Sequence, residues 1–500
     1  MNYNTYCMKK LLEIVYIAVL ACAGIVALLF FVNNLEAVVR SPMSSTALLV
    51  LVTISVLLFV SKSATQTIAS VAAKVYSSKH FTLVVIGVAI VLGLIVRLYF
   101  FTHFSYAPIS DPSTFYEAAR KIAEGKGMTG DTYAAFFPYL AAYNGLLGLA
   151  THLVADPWLA VIVLNFTLDI ITGILIFVIL KLVLTKQSFI PTLGSILWIL
   201  SPFTILFSLI SIPIAAVNLF ITLAVYLSLL VLKFAQKSER TSFLLASLSL
   251  GLALGIGNAF RPLFIIFIIA LCLAFIYIAL TAKKRTSAAL FLAPGFALIV
   301  VTYLLLQQVG IFAVHRATNL EPASNSSGWS IFVGANRESS GKWNIEDEGR
   351  MAELCQNLSR DDCHDELKEA GIARLSSYGL FETLELFTQK LYIFSSDQDN
   401  VYNADTSIVG YRESSAWKLF HTYTPTYFIF ILSFVLIFFY GALRQATRRP
   451  AAIYLFLSLL IIGIFFSTAL VETSARYAQV IYPIFTILAC AGIGLVTRLR

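Results

Sequence analysis

The run Phe81-Thr-Leu-Val-Val-Ile-Gly-Val-Ala-Ile-Val-Leu-Gly-Leu-Ile-Val-Arg97-Leu-Tyr-Phe-Phe101 decides the fold class. A helix needs roughly 20 mostly apolar residues to cross a bilayer, and this stretch supplies them with one charge near its end. Further stretches read the same way at approximately 11–32, 46–61, 158–180, 188–208, 213–232, 243–259, 262–280, 288–307, 424–442, 452–470 and 480–496. The expected fold is an all-α polytopic membrane protein of about 12 transmembrane helices with a small, mainly helical extracytoplasmic subdomain. Composition agrees. Of 500 residues, 59% are hydrophobic and 12% charged, which excludes the about three soluble domains that this length would otherwise suggest.

The chain carries 35 Lys+Arg against 27 Asp+Glu, a net charge of +8. An even number of spans puts both termini on one side. If that side is cytoplasmic, the inner segments hold 18 of the 35 basic residues, among them Lys9, Lys10, Lys283, Lys284, Arg448 and Arg449, with Glu239 as their only acid. The positive-inside rule selects this orientation, and nucleic acid is not needed to explain the excess charge. The first span follows Lys9 and Lys10 like a signal anchor. It lacks a small-residue cleavage site and is expected to be retained.

Four parts follow: a two-helix extension over 1–80, a transmembrane core over 81–307 that includes a first outer loop at 102–157, an outer subdomain over 308–423, and the last transmembrane helices over 424–500. Loops of this length are functional or disordered. Trp329, Trp343 and Trp417, set among polar residues, argue for a folded subdomain. Within it, 346–358 and 361–376 read as amphipathic helices. The segment 379–394 has an apolar face of Leu380, Leu384, Phe387, Leu391 and Phe394, and is expected to lie on the membrane surface because Glu382, Glu385 and Lys390 interrupt it. Cys355 and Cys363 are the two cysteines placed outside, where an oxidising face favours a disulfide over two thiols. No Walker loop, GxGxxG, HExxH or zinc-ligand spacing is present.

Three sets of residues could carry chemistry. Asp111, in Pro108-Ile-Ser-Asp-Pro-Ser-Thr-Phe-Tyr, follows the third span. Ser110 or Asp111 can cap a helix that has Pro112 in its first turn. Alternatively, Asp111 is a general base toward a hydroxyl acceptor, fixed at the interface by an apolar side of Phe115, Ala118, Ala119 and Ile122 lying on the membrane. Arg97, Arg261 and Arg476 each fall at an outer helix end. They either snorkel to headgroups or form a phosphate site, since Arg forks match phosphate oxygens. Asp169, mid-span with Asn165 one turn earlier, is either part of a proton or ion path or a buried acid paired with Asn165. Pro202, Pro213, Asn218 and Asn258 read as kinks and helix contacts.

Taken in order, Arg97-Leu-Tyr, Ser110-Asp111 with Tyr116, Ala119 and Gly125-Lys-Gly127, then Phe137-Pro138-Tyr139-Leu140, resemble the first outer loop of GT-C fold glycosyltransferases. Asn258-Ala-Phe-Arg261-Pro262, the stretch from Gly328-Trp through Gly334, Asn336, Glu338, Trp343 and Asp347, and Glu472-Thr-Ser-Ala-Arg476-Tyr477 are similar to bacterial members of the protein mannosyltransferase and lipid A aminoarabinose transferase branch. The likeness covers about 81–496 and rests on order and topology rather than on any one motif.

It implies an inverting transfer on the outer face. The donor phosphate would be held by Arg97, Arg261, Arg476 and Tyr477, and the acceptor hydroxyl deprotonated by Asp111. Glu117 is a possible partner in the acid role, and Tyr116, Glu338, Trp343 and Asp347 line the substrate loops. Asp-Glu in many relatives is Asp111-Pro112 here, and the lysine that aminoarabinose enzymes carry near Phe136-Phe137-Pro138 is missing, leaving Lys121 or Lys126 as substitutes. Asp-x-Asp is absent from the first loop, so no metal and no cofactor are expected. The expected partners are a polyprenyl-phosphate sugar donor, a cell-envelope acceptor and the lipid bilayer, in a bacterial plasma membrane with both termini cytoplasmic. Two other readings stay open: an O-antigen-type polymerase or ligase, which would not need Asp111, and a multi-span transporter or flippase, which would need charges lining several spans.

Overall fold

The computed structural model describes residues 3–40, 79–184, 189–282, 285–396, 402–446 and 452–498. It is almost entirely helical. Among the described residues, nine helices are long and apolar enough to cross a membrane, and a bent pair makes a tenth if it is one span. The chain is thus an all-α polytopic membrane protein. The expected span at 46–61 lies outside the described residues. The one at 262–280 is the helix Ile265–Thr281, only 17 residues long.

Several boundaries differ from expectation. The helix Arg285–Thr318 has 34 residues and Ser415–Ala446 has 32. At 1.5 Å per residue the former is about 51 Å long, well beyond a hydrocarbon core of about 30 Å. Both helices therefore run past the bilayer and carry the second long loop on stalks.

The stretch expected to cross at 188–208 is broken. Ile190–Ile199 and Pro202–Ser208 meet at 40°, because Pro202 disfavours helical backbone at Ser201, which is extended. The carbonyls released by the break are re-bonded: Thr204 Oγ1 donates to Trp198 O at 2.9 Å and Tyr427 Oη to Leu197 O at 2.7 Å. Within lipid an unpaired carbonyl costs several kcal/mol.

Small residues let other helices approach closely. Gly251 and Gly255 of Arg240–Asn258 face Arg285–Thr318, where a Cβ on Gly251 would lie 2.9 Å from Ile299 O. The first helix, Tyr3–Arg40, is part of the bundle. It packs against Ser415–Ala446 and Ala452–Leu470, with fully buried Phe30 edge-on to Phe485 and Phe394.

The two long loops are built into one another. Ser105–Tyr106 pairs antiparallel with Ile408–Val409. Gly130 N donates to Thr318 O, Ala323 N to Ala135 O, and His364 Nε2 lies 3.1 Å from Phe136 O. Inside the second loop, Ser327–Gly334 crosses Arg360–Ser376 at backbone contact, because a Cβ on Gly328 would meet His364 O at 1.9 Å. The helices Ile345–Leu354 and Arg360–Ser376 stand near 346–358 and 361–376, and a Cys355–Cys363 disulfide joins them.

Candidate functional site at the loop end of the bundle

The first loop begins its helix Asp111–Ala123 in an unusual way. Ser110 precedes it with φ 57° and makes no side-chain cap. Its carbonyl accepts from Ser113 N and Thr114 N. A non-glycine residue at positive φ is held there against a cost of order 1–3 kcal/mol, and such residues cluster at functional sites. Asp111 does not cap the helix either; its carboxylate points elsewhere.

The apolar side of this helix does not lie on the membrane, as the sequence suggested. Phe115, Ala118 and Ala119 are buried against the helix Ala141–Val154, with Phe115 edge-on to Tyr143 at 5.5 Å. A packed helix partner removes that surface from water as well as lipid would. The start of the helix is fixed by the turn after Pro202–Ser208: Ser211 Oγ donates to Pro112 O at 2.6 Å, and Tyr106 Oη meets Ser211 Oγ at 2.7 Å. Tyr106 in turn stacks on Trp158 at 5.5 Å.

Thus held, Asp111 faces the segment before the last helix. Arg476 Nη2 donates to Asp111 Oδ2 at 2.7 Å, although the residues are 365 apart in sequence. Tyr133 Oη donates to Asp111 Oδ1 at 3.3 Å. Arg476 lies in the 3-10 turn Ala475–Ile481, where Tyr477 follows it. The Arg261 guanidinium stacks on the Tyr477 ring at 3.9 Å and makes no ion pair among the described residues. Tyr477 Oη donates to Glu472 Oε1 at 3.0 Å.

Burial pushes the Glu472 carboxyl above its ordinary value, against the pull of Arg476 and the Tyr477 hydroxyl. Burial, and then Asp111, push the Tyr133 phenol up, so it remains a donor. Two guanidinium groups, those of Arg261 and Arg476, therefore meet two carboxyls, those of Asp111 and Glu472, and the guanidinium forks are the groups able to receive an anion.

No protein-family model matches the chain, and no curated protein does either.

The structure brings together Asp111, Arg261, Arg476 and Tyr477. Arg97 is elsewhere. It is fully buried, 3.6 Å from Asp169, with Nε donating to Ser208 Oγ at 2.6 Å, Nη1 to Gly93 O at 3.0 Å, and its guanidinium over Phe166 at 4.1 Å. It neither snorkels nor joins the other arginines, because an acid one helix away captures it. Asp169 likewise is not the partner of Asn165. Asn165 donates to Ile210 O and accepts from Tyr143 Oη.

Glu117 is half exposed and pairs with Arg120 at 3.5 Å rather than facing Asp111. Tyr116 lies edge-on to Tyr106 at 5.3 Å. Lys121 is exposed and Lys126 pairs with Glu124. Glu338 is exposed and Trp343 is 54% exposed. Asp347 is buried and holds the subdomain together, accepting from Arg374, Asn336 and Asn344. Its burial opposes ionisation, and those three donors outweigh it and hold the carboxyl below its ordinary value.

Three residues of this region had no assigned role in the sequence. Glu472 sits four before Arg476, a spacing that was visible. Tyr133 gave no signal, since its reach to Asp111 depends on the fold of the loop. Lys390 was read as an interruption of an apolar face, whereas it lies on the buried stripe Leu386, Lys390, Phe394.

Proposed function

We propose that the chain is an inverting GT-C-type glycosyltransferase. It moves a sugar from a polyprenyl-phosphate-linked donor to a cell-envelope glycan, lipid or protein, on the outer face of a bacterial plasma membrane that the chain crosses about 12 times. The observation that carries this reading is the Arg476–Asp111 contact, flanked by Arg261 on Tyr477. An anion-binding pair and a carboxylate base meet at one point. Lipid-linked donors suit an outer face because nucleotide sugars are not available there.

The donor phosphate takes hydrogen bonds from Arg476 and Arg261. Arg476 exchanges its carboxylate partner for the phosphate, and Asp111 is released toward the acceptor. A carboxylate offers about four lone-pair sites, so the Tyr133 bond leaves room for a hydroxyl. The acceptor oxygen attacks the anomeric carbon as the bond to the phosphate oxygen breaks; the proton passes to Asp111 and polyprenyl phosphate leaves. Charge developing on the leaving phosphate is met by the guanidinium groups, the term that usually contributes most to such steps. The acid on which a transporter reading would rest, Asp169, is paired with Arg97.

In a deletion strain, mass spectrometry of envelope glycans should show the loss of one sugar. Wild-type chain restores it, and Asp111→Asn at wild-type membrane levels does not. Restoration by Asp111→Asn overturns the base assignment and favours a polymerase or ligase.

A further inference from the structure

The helix Leu380–Ser395 places an amine where none is expected. Lys390 is fully buried, and its Nζ donates to Gly334 O and to Ala469 O, each at 2.8 Å. Both carbonyls belong to the ends of helices, Ser327–Gly334 and Ala452–Leu470. The amides four residues on are bonded elsewhere: Glu338 N to Asn336 Oδ1 and Thr473 N to Gly341 O. One amine therefore caps two helix C-termini, which lack internal partners and favour positive charge. Burial pulls its proton affinity down to about 7, with Glu472 opposing, so the arrangement is costly unless it holds something in place.

What it holds is the strap Val471–Thr473. Glu472 N donates to Ser330 O at 2.7 Å, and Thr473 Oγ1 donates to Lys390 O at 3.3 Å. The fit is backbone to backbone. A Cβ on Gly334 would lie 2.4 Å from Val471 C, and one on Gly341, at φ 74°, would lie 2.9 Å from Lys390 Cδ and Cε. The strap leads directly into the site, since Glu472 receives Tyr477 and Arg476 follows three residues after Thr473.

We infer that Lys390 is a positioning residue: it clamps the strap between the extramembrane subdomain and the end of the Ala452–Leu470 helix, and so sets Glu472, Arg476 and Tyr477 for a lipid-linked phosphate. The ligand named here rests on the glycosyltransferase reading; the clamp itself does not.

The test uses full-length chain in nanodiscs. Lys390→Met keeps most of the side-chain volume and removes the donor. It should speed hydrogen exchange at the Glu472 and Thr473 amides and weaken undecaprenyl phosphate binding about tenfold, the size of one lost hydrogen bond. In turnover assays the donor KM should rise while kcat changes little, a split that general loosening of the fold would not give. Should Lys390→Met fail to fold, Gly341→Ala tests the same clamp from the opposite side, with the same exchange and binding changes expected. Unchanged exchange at Glu472 and Thr473 in a folded variant overturns the clamp. Faster exchange with unchanged binding overturns its link to the site. If wild-type chain does not bind undecaprenyl phosphate, the glycosyltransferase reading fails, and the exchange rates alone decide the clamp.

Discussion

Two arginine–aspartate pairs join distant parts of this chain, and they are set up differently. Arg97 and Asp169 lie 3.6 Å apart with side chains 0% and 3% exposed, roofed by Phe166 and tied to Ser208 and Gly93. Arg476 and Asp111 lie 2.7 Å apart with side chains 21% and 35% exposed, beside Tyr133 and Tyr477. In the first pair neither charge can leave without stranding the other in an apolar interior. In the second, water or a ligand can replace either partner. An arginine at a helix end is therefore not one kind of residue: its neighbours decide whether it is fixed or exchangeable.

The largest expected effect breaks the interior pair. Asp169→Leu leaves Arg97 buried and unpaired and should destabilise the protein by about 3–5 kcal/mol, read as a lower melting midpoint in detergent. Arg97→Met with Asp169→Leu should recover most of that loss. A single variant as stable as wild type would remove the distinction between the pairs. Next, Arg476→Ala should melt near the wild-type temperature yet bind undecaprenyl phosphate about ten- to a hundredfold more weakly, with Arg261→Ala behaving alike to a smaller degree because it is stacked rather than ion-paired. Unchanged affinity in both would return these arginines to headgroup contact.

The smallest effect is on pH dependence. Lys390 titrates at about 7 in the folded chain against an ordinary 10.5. Between those values the unfolded chain binds the proton and the folded chain does not, so stability rises with pH across the window. The melting difference between wild type and Lys390→Met should therefore shift in favour of wild type from pH 6.5 to pH 9. A difference that stays constant would mean that burial at Lys390 is relieved by water.

Much of the architecture was legible because apolar length and charge placement are local properties. The broken crossing at Pro202 and the helices near 346–358 and 361–376 follow from residues that act on their own neighbours. The failures share a cause. Lys390 looked like a polar interruption because helical periodicity says which residues share a stripe, but not that two carbonyls wait opposite one of them. Phe115, Ala118 and Ala119 were assigned to lipid because an apolar face looks the same whether a membrane or another helix covers it. In the same way, nothing in the sequence of the first helix names Phe428, Phe465 and Phe485 as the neighbours of Phe30.

Residue order alone establishes a bundle of apolar helices with two long loops and a short set of charged residues. Local hydrophobicity and spacing are enough for that. Which of those charges meet is a property of the packing. Asp111 faces Arg476 across 365 positions while Arg97, which looked equivalent, is held by Asp169. Pairing inside an apolar medium depends on which helix ends the packing brings within about 4 Å, where Coulomb attraction and hydrogen bonding become strong, and that distance is written in no single stretch of the chain.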